Sequence, residues 1–508
     1  MSDDWFPDPI RFKDQANQKS VLWGSVAPGQ TCVVRRSEVF NVPKVGFTLR
    51  YALQGMFSER VFYQALVDAI APLYDPLLDP RVYSCRIRSG RSDYMFCPPV
   101  VAWRDFIADA RETLSSRRGV LLKTDIQNYY ESISIGLLAS ELLRIGPKRT
   151  VQETVDTTQQ LLLQWCPYGD HGIPQNRDAS AFLANAFLKS VDNTMVRRYE
   201  HYFRLMDDIV IVCRDHLHAR KALRDLVIAL RRLRLNVNTK KTHILSYDDE
   251  KVDEHLPPPN RRIEEIDTLL KSRRLSTFKR GLPLLREFTL ETLQSDDVDE
   301  TALRFCLNRL ERINRVRGIR IAWKPVTEAL LPQLRDRPWT TAPITKYLVT
   351  APIDSSQLGE VERVVLDRHV AIYEWQNYHL WIALGYHEIK TKALLHRARA
   401  MTRTRGPVPT RAAAILYLGK CGTSADREKI AKEYGRVRSP FLKRAILLAT
   451  QKTPKSTARR QILPYLTPET RSTHQWLTRR EASPIYYVKP YPLTPSEFFD
   501  DLPSISGP

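Results

Sequence analysis

From Phe57 to about Leu77 the apolar residues recur at helical spacing: Val61, Phe62, Ala65, Leu66, Ala69 and Ile70 fall on one face. The next stretch, "RVYSCRIRSGRSDYMFC", predicts a hairpin turning at Ser89-Gly90. A helix is expected around Trp103 to Leu114, then a buried strand in "GVLLKTDI", a short apolar run led by a glycine. Residues 151–165 and 178–199 again carry the helical period. "RLMDDIVIVC" is rich in β-branched residues and predicts a strand. Residues 216–234 predict a basic amphipathic helix, and 243–246 a short strand.

The pattern changes at "EHLPPPNRR", where Pro257 to Pro259 interrupt any regular element. Beyond it the helical period dominates to about residue 480. Thr410 opens "RAAAILYLG", which ends at Gly419 or Gly422; "TSAD" (423–426) is a capping box; Ser439-Pro440 supplies a cap and first position for "FLKRAILLA". Short paired helices with Ala and Leu inside suggest HEAT-like repeats, with a plain helical bundle as the alternative. The Pro-rich tail from Tyr486 is expected to be extended.

With 508 residues the chain has room for two or three domains. Composition is otherwise that of a globular protein, but 78 Lys and Arg against 57 Asp and Glu leave a net charge of +21, which favours a polyanion as partner. The seven cysteines have neither metal-ligand nor redox spacing, so reduced thiols without structural zinc are expected. The acidic start lacks a signal-peptide pattern, and no apolar stretch reaches the ~18 residues of a membrane span, so a cytoplasmic protein without membrane contact is expected.

Chemistry enters with Asp207-Asp208, two adjacent carboxylates inside an apolar run. Buried paired carboxylates are unfavourable unless a cation neutralises them, and magnesium prefers such oxygen ligands. Alone, the pair would more often be a turn. A third acid, Asp125, follows the apolar strand 82 residues earlier. One acid at a strand end and two in a hairpin can together hold two metal ions for phosphoryl transfer.

These residues carry a resemblance. "TDIQNYYESI" (124–133), "GIPQNRDASAFLAN" (172–185), "RLMDD" (204–208) and "LRLNVNTKKTHIL" (233–245) resemble motifs A, B, C and D of reverse transcriptases, in order and at matching spacing, over roughly residues 50–250. The resemblance implies that Asp125, Asp207 and Asp208 are catalytic and, with the backbone carbonyl of Ile126, bind two Mg2+ ions. It places Tyr130 against the sugar 2′ position, Gln175 near the incoming nucleotide and Lys241 close to the triphosphate. Arg86, favoured over Arg88, would clamp phosphates from the fingers. Core packing is the competing role for Tyr130. Two departures stand out: Leu205 replaces the usual tyrosine of Tyr-x-Asp-Asp, and Asn176 replaces the glycine of Pro-Gln-Gly. Both put ordinary processive copying in doubt and remove no metal ligand.

The implied fold is α+β: a right-hand fingers–palm polymerase core followed by an all-α, HEAT-like domain. The implied division is an N-terminal extension (1–50), fingers (51–120), palm (121–255), helical repeats (262–480) and an extended tail (481–508). This combination resembles the bacterial abortive-infection and related defence reverse transcriptases, some of which prime on their own tyrosine without a template. The expected partners are dNTPs, a DNA product that such priming would attach covalently, and a second copy of the chain. Tyr486, Tyr487 and Tyr491 in the tail and Tyr94 in the fingers are the priming candidates. Two alternatives stay open: templated copying of a noncoding RNA, and a non-catalytic nucleic-acid-binding scaffold.

Overall fold

The computed structural model describes residues 4–16, 37–88, 95–166, 169–295, 298–319, 323–403, 406–480, 484, 486–487, 489–494 and 498. The chain forms two compact units. One is built on residues 53–265; the other joins 266–502 to the N-terminal residues 1–31 and 38–52.

The first unit is organised around four antiparallel strands: β3 (Val120–Asp125), β4 (Tyr202–Leu205), β5 (Asp208–Cys213) and β6 (His243–Ser246), in the order β4-β5-β3-β6. (Strands β1, Glu38–Lys44, and β2, Thr48–Gln54, form a separate two-stranded sheet.) Both faces of this sheet are covered. Val120 and Leu122 of β3, with Ile209, Ile211 and Cys213 of β5, enter the larger core beneath the helices Phe57–Tyr74, Asp178–Phe187 and His216–Arg231. Leu121, Val210 and Val212 point the other way, onto Phe106, Ala110 and Leu114 of the helix Pro99–Arg117. Alternate side chains of a strand serve opposite faces, so two covered faces require an unbroken apolar run. Gly119 opens that run because a Cβ there would lie 2.5 Å from the Cys213 carbonyl.

The predicted elements are present with shifted ends. The first helix is Phe57–Tyr74, followed by a 3-10 turn at Asp75–Leu77. The stretch 178–199 is two helices, Asp178–Phe187 and Lys189–Val196. The predicted fingers hairpin is held by an Ile87–Phe96 bridge and by hydrogen bonds from Arg88 N to Met95 O and Cys97 N to Arg86 O. Its tip, with Tyr94, lies outside the described residues.

In the second unit, helices alternate between two layers. Thr341–Thr350, Glu374–Tyr386, Val408–Cys421 and Pro440–Ala449 pack side by side, while Ser355–Leu366, Lys392–Arg403, Ser424–Glu433 and Lys455–Gln461 line the outer side. Successive inner helices begin at 341, 374, 408 and 440, steps of 33, 34 and 32 residues, which is the alternation of a helical repeat array. The capping box at Thr423 and the Ser439 cap form as predicted. Gly419 lets two inner helices touch: a Cβ there would meet Ala449 Cα at 2.5 Å.

The N-terminal residues are part of this array. Strands β1 (Glu38–Lys44) and β2 (Thr48–Gln54) form a two-stranded sheet, and Asn41 N donates to Glu374. Phe6 makes edge contacts with Phe40, Tyr378 and Phe441. Arg444 pairs with both Asp8 and Asp14 in the interior. Described residues of the tail are packed: Leu493 pairs with Val316, Phe498 meets the Phe278 ring, and Tyr486 is 5% exposed. Tyr487 lies against Gly385, and burial raises its pKa well above the ordinary phenol value. Of the tail tyrosines named as priming candidates, Tyr486 and Tyr487 are thus packed against the helices, whereas Tyr491 is exposed. No helix among the described residues is long and apolar enough to cross a membrane.

Candidate active site

The three acids meet at one end of the four-stranded sheet. Asp125 ends β3 and stands in register with Asp208, the first residue of β5. Leu205 pairs with Asp208 across β4 and β5, so the hairpin closes through Met206 and Asp207 alone. The Asp207 carbonyl accepts from Ile126 N at 3.2 Å, which ties the turn to the residue after Asp125.

Charge is concentrated there. Asp125 is 6% exposed and its Oδ1 has no hydrogen-bond partner. Asp207 is half-buried; desolvation, then the charge of Asp208, push its pKa up to about 6. Two lysines offset the charge. Lys241 Nζ lies 2.5 Å from Asp125 Oδ2, and Lys123 Nζ lies 3.1 Å from Asp208 Oδ1. Burial opposes the Lys241 ammonium, but Asp125, Asp208 and Asp207 outweigh it and raise its pKa.

The "NTKKT" segment aims Lys241. Asn238 N donates to the Asp125 carbonyl at 2.8 Å, and Asn238 Oδ1 caps the short 3-10 turn Thr239–Lys241. The Thr242 hydroxyl donates to the Asn238 carbonyl and lies 2.8 Å from the Thr124 hydroxyl.

Among the described residues no group of three His, Cys, Asp or Glu side chains converges closely enough to hold a metal ion. Lysines sit on two of the three acids in this conformation. The donor set nevertheless suits a hard divalent cation, since it offers a buried, unpartnered carboxylate oxygen on Asp125 and a carboxylate on Asp207 whose charge is only partly offset.

The remaining predicted residues are placed unevenly. Tyr130 packs on the core edge with its hydroxyl 3.7 Å from Met206 Sδ, so packing and proximity to the acidic turn coexist. Gln175 Nε2 donates to Glu131 Oε1 at 3.3 Å. Asn176 has φ 61°, the conformation for which glycine is usual at this position and which asparagine tolerates. Arg86 is largely committed within the fingers. Its guanidinium bonds Asp75 Oδ1 at 2.9 Å and the carbonyls of Asp75, Asp79 and Val82, so four of its five N–H groups brace the fingers. Arg88 is exposed.

Several site residues escaped the sequence reading. Lys123 shares a strand face with Asp125 by its spacing of two, which was a legible signal. Glu131 was not. Arg204 was, in principle: it is a third charge in the run "YFRLMDD".

The reverse transcriptase (RNA-dependent DNA polymerase) family matches residues 53–275. This segment is a reverse transcriptase domain. It is RNA-directed DNA polymerase-like, hence a nucleotidyltransferase, and it contains every motif residue discussed above. Reverse transcriptase domains use divalent metal ions and bind nucleotides and nucleic acid. Two solved telomerases are similar at low level. The apo enzyme from Candida tropicalis has TM-score 0.34 and 11% identity, covering 71% of this chain and 67% of that one. The Candida albicans enzyme in complex with a TWJ fragment of telomeric RNA has TM-score 0.33 and 11% identity, covering 69% and 66%. No match to a curated protein sequence is found.

Proposed function

We propose that the protein is a reverse transcriptase-type DNA polymerase of bacterial antiphage defence, adding dNTPs by two-metal phosphoryl transfer. The observation that carries the polymerase reading is the register of Asp125 opposite Asp208, with Asp207 in the two-residue turn beside them. A relic scaffold has no reason to keep clustered carboxylates that repel one another. The defence reading rests on the helical array that follows the domain.

In this reading Asp125, Asp207, Asp208 and the Ile126 carbonyl hold two Mg2+ ions. When bound, the ions supply activation of the attacking hydroxyl and stabilisation of the pyrophosphate leaving group. Tyr130 excludes a 2′-hydroxyl, and Gln175 faces the incoming nucleotide. Lys241, released from Asp125, offers its ammonium to the triphosphate. The exposed Arg88 takes the phosphate-clamping role once given to Arg86.

For priming, burial disfavours Tyr486 and Tyr487 and leaves the exposed Tyr491 as the tail candidate, beside a supplied primer. Templated synthesis from a supplied primer is the second reading. Self-association of the chain belongs to the same proposal.

The test is incubation with labelled dNTPs and magnesium, with and without an annealed primer and template, followed by denaturing electrophoresis. Label on free DNA only when primer and template are supplied supports templated copying. Nuclease-sensitive label that stays with boiled protein supports tyrosine priming. Incorporation undiminished by Asp208→Asn overturns the site itself.

A further inference from the structure

The acidic turn is held from outside its own hairpin. Met206, the first of its two residues, has φ 56°, a conformation that side-chain-bearing residues avoid and that persists only where surrounding structure enforces it. Both of its backbone groups are taken by side chains. Its N–H donates to Ser84 Oγ at 2.8 Å, and its carbonyl accepts from Arg204 Nη1 at 2.8 Å.

Arg204 is fully buried and each of its five N–H groups has an acceptor. Nε donates to Asp192 Oδ1 at 2.7 Å and Nη2 to Asp192 Oδ2 at 2.6 Å. Nη2 also reaches the Asn185 carbonyl at 3.2 Å. Nη1 divides between Asn185 Oδ1 at 2.9 Å and Met206 O. Tyr202 donates to Asp192 Oδ1 at 2.8 Å. Asn185 closes a ring: its Nδ2 donates to the Ser84 carbonyl at 2.7 Å, and its Oδ1 accepts from Ser84 Oγ at 3.1 Å.

We propose that Arg204, Asp192, Asn185 and Ser84 form a positioning network that fixes the Met206–Asp207 turn and thereby sets the cation affinity of the Asp125–Asp207 pair. The inference rests on the reading of Asp207 as a metal ligand. An arginine–aspartate pair that only tied a helix to the sheet would have no need of Met206. Here the chain of donors ends on the one strained residue beside the acid, and Ser84 grips the other side of the same residue. The helix Asp178–Phe187, which follows Gln175 and Asn176, supplies Asn185. Nucleotide contact at its start is thus mechanically joined to the acidic turn.

The test is Ser84→Ala, which deletes one grip and leaves the Arg204–Asp192 pair intact, with Ser84→Thr restoring the hydroxyl. Mn2+ binding to the whole protein is read from the free-ion electron paramagnetic resonance signal, beside kcat, dNTP KM and Tm. Ser84→Ala is expected to weaken Mn2+ binding severalfold and lower kcat about tenfold with KM unchanged, as the loss of one fixing hydrogen bond implies. Ser84→Thr is expected to recover both. If Ser84→Ala fails to fold, Ser84→Cys, similar in shape but a weaker acceptor, is expected to fall between wild type and those values. Wild-type Mn2+ affinity and kcat in the folded variant overturn the network. So does a fall in kcat without a change in Mn2+ affinity. Asp207→Asn, run in parallel, separates the two failures. If it still binds Mn2+ and turns over as wild type, the ligand reading is wrong; if it loses both while Ser84→Ala stays normal, only the network is.

Discussion

Replacing Asp207 with Asn is expected to stabilise the metal-free protein while abolishing its chemistry. Folding moves the Asp207 pKa from an ordinary 3.8 to about 6, through burial and the neighbouring Asp208 charge. A carboxyl group whose folded pKa is raised contributes stability that is fully present below the unfolded value. That contribution is lost as pH rises through the folded value. The rise from 3.8 to about 6 corresponds to about 3 kcal/mol at neutral pH. Asn has the same shape and never ionises, so the variant escapes this loss. For a unit of this size about 3 kcal/mol is roughly 6–12 °C in Tm. The assay is thermal unfolding of wild type and variant in EDTA at pH 7.5 and pH 4, then at pH 7.5 with magnesium. The variant should melt higher at pH 7.5 in EDTA, and the gap should close at pH 4, where Asp207 is protonated in the folded wild type. It should also narrow with magnesium, which binds the intact triad better. A variant that melts at or below wild type at pH 7.5 in EDTA, or a gap unchanged at pH 4, would refute the claim of a net unfavourable charge at Asp207.

Three further outcomes follow from named contacts. Lys241→Ala removes the ammonium that lies 2.5 Å from Asp125, so Mn2+ binding should tighten severalfold while dNTP incorporation falls at least about tenfold; unchanged Mn2+ affinity would show that Lys241 and the cation do not compete. Tyr130→Ala should admit ribonucleotides, since steric exclusion of a hydroxyl is a matter of ~1–3 kcal/mol; an unchanged dNTP preference in the active variant would leave the ring only its packing role. Arg444→Ala leaves Asp8 and Asp14 buried without their counterion, which should destabilise the helical unit by about 3–5 kcal/mol and expose the N-terminal residues to protease; wild-type Tm and protease resistance would contradict that.

The backbone elements of the domain were legible because each is a local pattern. An unbroken apolar run of strand length, an apolar face at helical spacing or an Asn before Lys-Thr constrains the nearby φ/ψ whatever lies across the molecule. The three carboxylates were legible for a related reason: charge in an apolar run is unfavourable enough to demand an explanation. Arg204 met the same criterion and shows that the signal names an anomaly without naming its partner. Local pattern accordingly specified the set of elements, the acidic triad and the reverse transcriptase motifs. Tertiary structure alone decided which side chains those elements bring together. It placed Asp125 in register with Asp208, set Lys123 and Lys241 on the acids, and turned Arg86 inward to Asp75. It also packed Phe6, Asp8 and Asp14 from the N-terminal residues, and Tyr486 and Tyr487 from the tail, into the helical array. The reason is physical. Arg86 and Arg88 have the same local chemistry, two residues apart on one segment. Only the desolvated surroundings, contributed by residues distant in sequence, determine which guanidinium must satisfy buried acceptors and which stays in solvent.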